Sequence, residues 1–118
     1  MSYNVQIFNI QTMRNFENLH TDDFFEHSEN LSELTEQQFE ELKDRLIAYD
    51  YELLVTKKDY LEFRKVDFSV QAILTKFGLY FSAASNADDI FEISMTASEF
   101  TDTGEFAKFD PQQGEWEI

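Results

Sequence analysis

The chain has no cysteine in its 118 residues. That removes disulfides, cysteine-ligated zinc, iron–sulfur clusters and thiol catalysis together. Glycine and proline are scarce, with three Gly and one Pro. Gly78, Gly104 and Gly114 are scattered, so they build neither a phosphate-cradling loop nor a dinucleotide fingerprint. A nucleophilic triad needs a His base, and the only histidines, His20 and His27, lie beside no Gly-x-Ser-x-Gly turn, so no triad is marked. There is no His-Glu-x-x-His motif. Asp102-Thr103-Gly104 lacks a third-position ligand and has its glycine too early for a calcium loop. The expectation is a chain that is not an enzyme and has no cofactor.

Positive charge is also in short supply. Nine Lys and Arg stand against 24 Asp and Glu, a formal charge of −15. Direct binding to nucleic acid or to an anionic membrane surface is disfavoured. No apolar run approaches the roughly 18 residues of a membrane span. The stretch from Met1 to Phe8 lacks the basic and apolar parts of a signal peptide, so a cytoplasmic location is expected.

What is present is an apolar, aromatic-rich chain: 42% hydrophobic, with 13 Phe, five Tyr and one Trp. Disordered segments carry few aromatics, so a folded chain is expected. The length suits one domain, 1–118. At this size folding buries about two-thirds of the unfolded surface, enough for a core of its own. Charge is divided unevenly. Residues 1–42 and 77–118 each carry a net −8, while residues 43–76 carry +1.

One helix announces itself in the sequence. Thr35 and Gln38 have capping-box spacing, and Leu34 and Phe39 have the spacing of a hydrophobic staple. Phe39, Leu42, Leu46 and Tyr49, with Ile47 beside them, form a stripe for the core, which predicts a helix over 36–48. A shorter helical segment is expected after Thr21, with Asp22 and Asp23 in its first turn and Phe24 and Phe25 inside it. Beyond Tyr51 the period falls to two. Strands are expected over 51–56, 60–66, 68–74, 79–83 and 106–109, with 85–89 a loop. The alternation of Phe91, Ile93, Met95 and Ala97 reads as a further strand. Val5 and Ile7 suggest one at the start. Short connections imply antiparallel pairing. The predicted fold is α+β: an antiparallel meander of about five to six strands, with the helix and the N-terminal segment packed on one face. Phe8, Phe39, Phe63, Phe68, Phe81 and Phe91 are the expected core aromatics.

Two groups of residues are candidate sites. Glu17, His20, Asp23 and His27 would share one face of an unbroken helix and could hold a divalent metal. A helix start at Thr21 divides that set, so the expectation is two surface histidines and no metal. The stronger feature is the acidity. Its bland reading is solubility. Its functional reading is a docking surface for a basic protein partner. The candidate contacts are Asp22, Asp23, Phe24, Glu26 and Glu29 in the first arm, with Asp88, Asp89 and Trp116 in the second. Phe24 and Phe25 are neighbours that cannot be buried equally, and Trp116 either folds back or anchors a contact.

In size and charge the chain resembles small acidic immunity proteins, a resemblance of class that no motif carries. The expected function is a small acidic protein-binding domain, such as an immunity-protein or antitoxin-type inhibitor of a basic nuclease toxin. The alternatives are a nucleic-acid mimic, a small-ligand-binding domain, or an accessory subunit whose acidity serves only solubility.

Overall fold

The computed structural model describes residues 2–19, 24–65, 68–84 and 86–117, with the side chains of Ser2 and Ser28 excepted. Strand β1 (Ser2–Asn9) runs straight into helix α1 (Ile10–Leu19). The Asn9 side chain makes that transition by accepting a hydrogen bond from the Gln11 amide at 2.8 Å, as an N-cap does. Two 3₁₀ turns follow, Phe24–Glu26 and Ser28–Asn30. The helix start expected at Thr21, with Asp22 and Asp23, lies outside the described residues.

Helix α2 (Glu36–Ala48) forms where its caps require. The Gln38 amide donates to Thr35 Oγ1, and the Thr35 amide donates to Gln38 Oε1, both at 3.0 Å. Leu42 and Leu46 are fully buried, with Phe39 and Tyr49 packed partly buried against the same core. Ile47, placed by the sequence with that stripe, is exposed. It follows Leu46 directly, and one residue rotates the side chain about 100° around the axis.

Strands β2 (Tyr51–Lys57), β3 (Tyr60–Lys65), β4 (Val70–Thr75) and β5 (Gly78–Ala84) form the expected meander. Helix α3 (Ala87–Glu99), strand β6 (Phe106–Asp110) and strand β7 (Glu115–Glu117) complete the chain. The sheet has seven strands in the order β2-β3-β4-β5-β1-β6-β7, all antiparallel. The α+β class therefore holds, with a strand count slightly above the expectation. The tail supplies the extra strand: Trp116 pairs with Phe109. The Gln112 side chain holds the turn before it, bonding both the amide and the carbonyl of Asn4 at 2.8 and 2.7 Å.

Residues 91–97 are a correction. They form part of α3, not a strand. The buried positions Asp89, Ile93, Thr96, Ala97 and Phe100 recur every three or four residues, the helical period. Asn86 caps the helix, its Oδ1 accepting from the Asp89 amide at 2.9 Å. The apparent alternation mixes two faces: Ile93 and Ala97 point inward, Phe91 and Met95 outward. Phe91, expected in the core, is 66% exposed.

Strand alternation separates two faces of the sheet. One presents Val5, Ile7, Phe63, Ala72, Leu74 and Phe81 to Leu42 and Leu46 of α2 and to Ile93, Ala97 and Phe100. The opposite face carries Phe8 and Phe109 at the β1–β6 end, where α1 and the first 3₁₀ turn cover it. The N-terminal segment thus lies across the sheet from α2 and α3, because α1 leaves β1 immediately after Phe8 and Asn9. At the outer edge, β2 has a register shift between Leu53 and Val55 and ends in Lys57. Bulges and lysines are devices that discourage strand addition.

Candidate functional site

Aromatic residues of the first acidic arm meet those of the second in a box. Phe16 and Phe24 stand 5.2 Å apart edge to face, Phe25 lies 4.8 Å from Phe109, and Trp116 lies 4.9 Å from Phe109. Phe24 is 1% exposed, which takes it out of reach of a partner and corrects its place among the candidate contacts. Two consecutive residues of a 3₁₀ turn point about 120° apart. Phe24 therefore goes inward, and Phe25 lies flat against Phe8 at 5.4 Å. Trp116 folds back onto the domain, with its Nε1 buried and no hydrogen-bond partner among the described residues. Of the other candidates in this arm, Glu26 and Glu29 are exposed, with Glu29 lying 3.9 Å from His27. Glu17 is exposed on α1. His20, Asp22 and Asp23 lie outside the described residues. Among the described residues, no three His, Asp or Glu side chains are grouped to hold a metal.

The second arm is organised by α3. Asp88 and Asp89 sit in its first turn, where carboxylates complement the helix dipole. Their fates differ. Asp89 is 5% exposed, and its Oδ2 accepts from Asn86 Nδ2 at 2.7 Å, so it serves the cap rather than a contact. Asp88 is exposed. Glu92, one turn on, pairs with Lys65 at 3.3 Å, both side chains largely buried. Lys65 also donates to the Tyr49 carbonyl and lies 5.3 Å from the Tyr51 ring centroid. That lysine ties β3, α2 and α3 together, and none of its charge is left for solvent-facing carboxylates. Beside it lies an open depression of about 470 Å³, lined by Phe68, Asn86, Asp88, Asp89, Phe91 and Glu92. Phe91 and Met95, one turn apart, are 66% and 42% exposed. The sequence signal for this face was present in the Asn86-Ala87-Asp88-Asp89 cap and the i, i+4 spacing of Phe91 and Met95. The reading of 85–89 as a loop hid it.

The electrostatics follow from topology. Strand β1, in the first acidic arm, lies between β5 and β6 of the second. The two arms are therefore neighbours, while β2, β3 and β4 come from the nearly neutral middle. Much of the scarce positive charge is consumed internally. Arg45 bonds Asp102 at 2.8 Å and lies 3.8 Å from Glu41. Lys76 pairs with Glu33 and Lys108 with Glu117, at 3.3 and 3.4 Å. Arg64 stands 4.0 Å from Glu52. Carboxylates crowd at the junction of α2 with the segment before β6. Burial pushes the Glu41 carboxyl above its ordinary range, and a hydrogen bond with Glu105 adds to the effect. Tyr49 donates to Glu99 Oε2 at 2.5 Å, and that bond raises the phenol.

One arrangement has the residue types of a nucleophile and a base. Lys108 Nζ lies 3.1 Å from Ser98 Oγ. A serine–lysine pair needs a neutral amine to accept the proton. Here Nζ also donates to the Ser94 carbonyl and to Glu117 Oε2, each at 3.4 Å. This cluster ties β6 and β7 to α3.

No family model, curated protein or solved structure matches the chain. No helix among the described residues is long and apolar enough to cross a membrane.

Proposed function

We propose that this chain is an acidic protein-binding domain without catalytic activity, which docks a basic protein partner and acts by occupying it. An inhibitor of the immunity-protein or antitoxin type, set against a basic nuclease, is the form that suits it best. One observation carries the proposal: the fold sets the two −8 arms beside each other, with Glu41 of the first against Glu105 of the second, while Arg45, Arg64, Lys65, Lys76 and Lys108 each lie within ion-pair distance of a carboxylate of the same chain. A field of one sign over a small domain steers a cationic partner, and it costs stability through self-repulsion. A nucleic-acid mimic would lay carboxylates along a rod. The extents of 40 × 30 × 25 Å and the neutral β2–β4 half give less support to that form.

The test is a tagged pull-down from native lysate at low and high salt, with mass spectrometry of what is retained. The expected result is one basic protein held at low salt and reduced at high salt. Retention of nothing, by a clean monomer, would sink the proposal and leave the acidity as solubility.

A further inference from the structure

The outward face of α3 combines two properties that elsewhere in the molecule are separate. Among the described residues, the exposed large apolar side chains are Leu19, Ile47, Leu54, Phe91 and Met95. Leu19, Ile47 and Leu54 stand singly on α1, α2 and β2, and isolated exposed apolar residues need no explanation. Phe91 and Met95 share one helix face, and Phe91 borders the depression that Phe68 and Asp88 also line. Steps of three, four and four residues place Asp88, Phe91, Met95 and Glu99 in a single stripe. The helix, ADDIFEISMTASE, contains no Lys or Arg. Three described cations reach it from other elements, Arg45 at the Glu99 carbonyl, Lys65 at Glu92 and Lys108 at Ser98, and each is paired with a carboxylate, of Asp102, Glu92 and Glu117 in turn.

We infer that this face is the docking surface, and that its occupant is a basic segment of a partner protein presenting an apolar side chain between Lys or Arg residues. The inference rests on the acidic-binding reading above and gives it a location. Charge selects the occupant. A second copy would set Asp88 and Glu99 against carboxylates of a chain that is itself −15. A basic segment neutralises both while its apolar residue covers Phe91 and Met95. Phe supplies a large rigid contact, and Met, unbranched and polarizable, adapts to the side chain it meets. The aromatic is central and the carboxylates flank it, the arrangement of an energetic centre with a polar rim.

The probe is a synthetic amphipathic Leu/Lys peptide, compared with an all-Lys peptide and a Leu/Glu peptide. Binding is followed by fluorescence anisotropy at low and high salt. The proteins are the full chain, the Phe91→Ala/Met95→Ala variant, and a Leu19→Ala/Ile47→Ala variant that removes exposed apolar groups elsewhere. Circular dichroism confirms that each is folded. The full chain should bind the Leu/Lys peptide more tightly than the all-Lys peptide and ignore the Leu/Glu one. Loss of Phe91 and Met95 should weaken Leu/Lys binding by about tenfold or more, and loss of Leu19 and Ile47 by less than about twofold. Salt-sensitive binding that survives intact in the Phe91/Met95 variant would overturn the site and leave the acidic reading standing. Failure of both Lys-containing peptides at low salt would overturn the two together.

Discussion

Gly78 shows how a single atom can be excluded by the sheet. A Cβ on this residue would lie 2.7 Å from the Ile7 carbonyl oxygen and 2.9 Å from Phe8 Cδ1. The first obstacle is backbone in a paired strand, since Phe8 is the register partner of Gly78. It cannot yield as a flexible side chain would. Gly78→Ala should therefore destabilise the protein by about 1–3 kcal/mol, the usual cost of overpacking. Urea denaturation checks this; an unchanged midpoint would show that β1 can move aside. Between the expected strands 68–74 and 79–83 a glycine reads as a turn residue, which is only part of its role. That Phe8 packs against it is a long-range fact, invisible without the β1–β5 register. The same limit explains Phe91. A phenylalanine in an alternating pattern is reasonably assigned to a core, and only the helical period of its neighbours reveals that it faces out.

At the scale of elements, α2 was legible because everything that specifies it is local. Thr35 and Gln38 are three residues apart, and their reciprocal bonds form within one turn. Thr35→Ala removes the acceptor for the Gln38 amide and should cost about 1 kcal/mol. Thermal melts read that loss, and Thr35→Ser should restore most of it. A melt unchanged in Thr35→Ala would mean that water caps the helix equally well. The meander was legible for a similar reason, since each hairpin joins neighbours in the chain. Helix α1 was not. It follows β1 with no Gly or Pro between them, and Asn9, which is both the last strand residue and the cap, gives a weak local signal. The placement of β1 between β5 and β6 was beyond reach, because neither partner is near it in sequence. Of the candidate contacts, Asp88 emerged exposed beside Phe91, whereas Phe24 was taken into the aromatic box and Asp89 into the cap.

For the whole molecule, the joining of the two arms turns a compositional fact into a strain. Glu41 records it locally. Burial, then Glu105, hold its carboxyl above the ordinary range in the folded chain, while Arg45 opposes them. A carboxyl whose folded pKa lies above its unfolded value binds its proton more tightly in the native state. Its stabilising contribution is complete below the unfolded pKa, near 4.3 for Glu, and is lost as pH rises through the folded value. Once that proton is lost, the repulsion between the Glu41 carboxylate and Glu105 opposes the fold. Glu41→Gln keeps the shape, removes one charge and leaves an amide that can donate to Glu105 at any pH. The variant should be more stable than the parent at pH 7, and the difference should shrink as pH falls toward the carboxylate range. Adding salt should narrow it as well, since Glu41 is near enough to solvent to be screened. Urea melts of both proteins across this pH range, at low and moderate salt, measure the effect directly. A variant less stable than its parent at pH 7 would mean that the Glu41–Arg45 attraction outweighs the repulsion. The carboxylates at this junction would then be a balanced ion network instead of an uncompensated acidic surface.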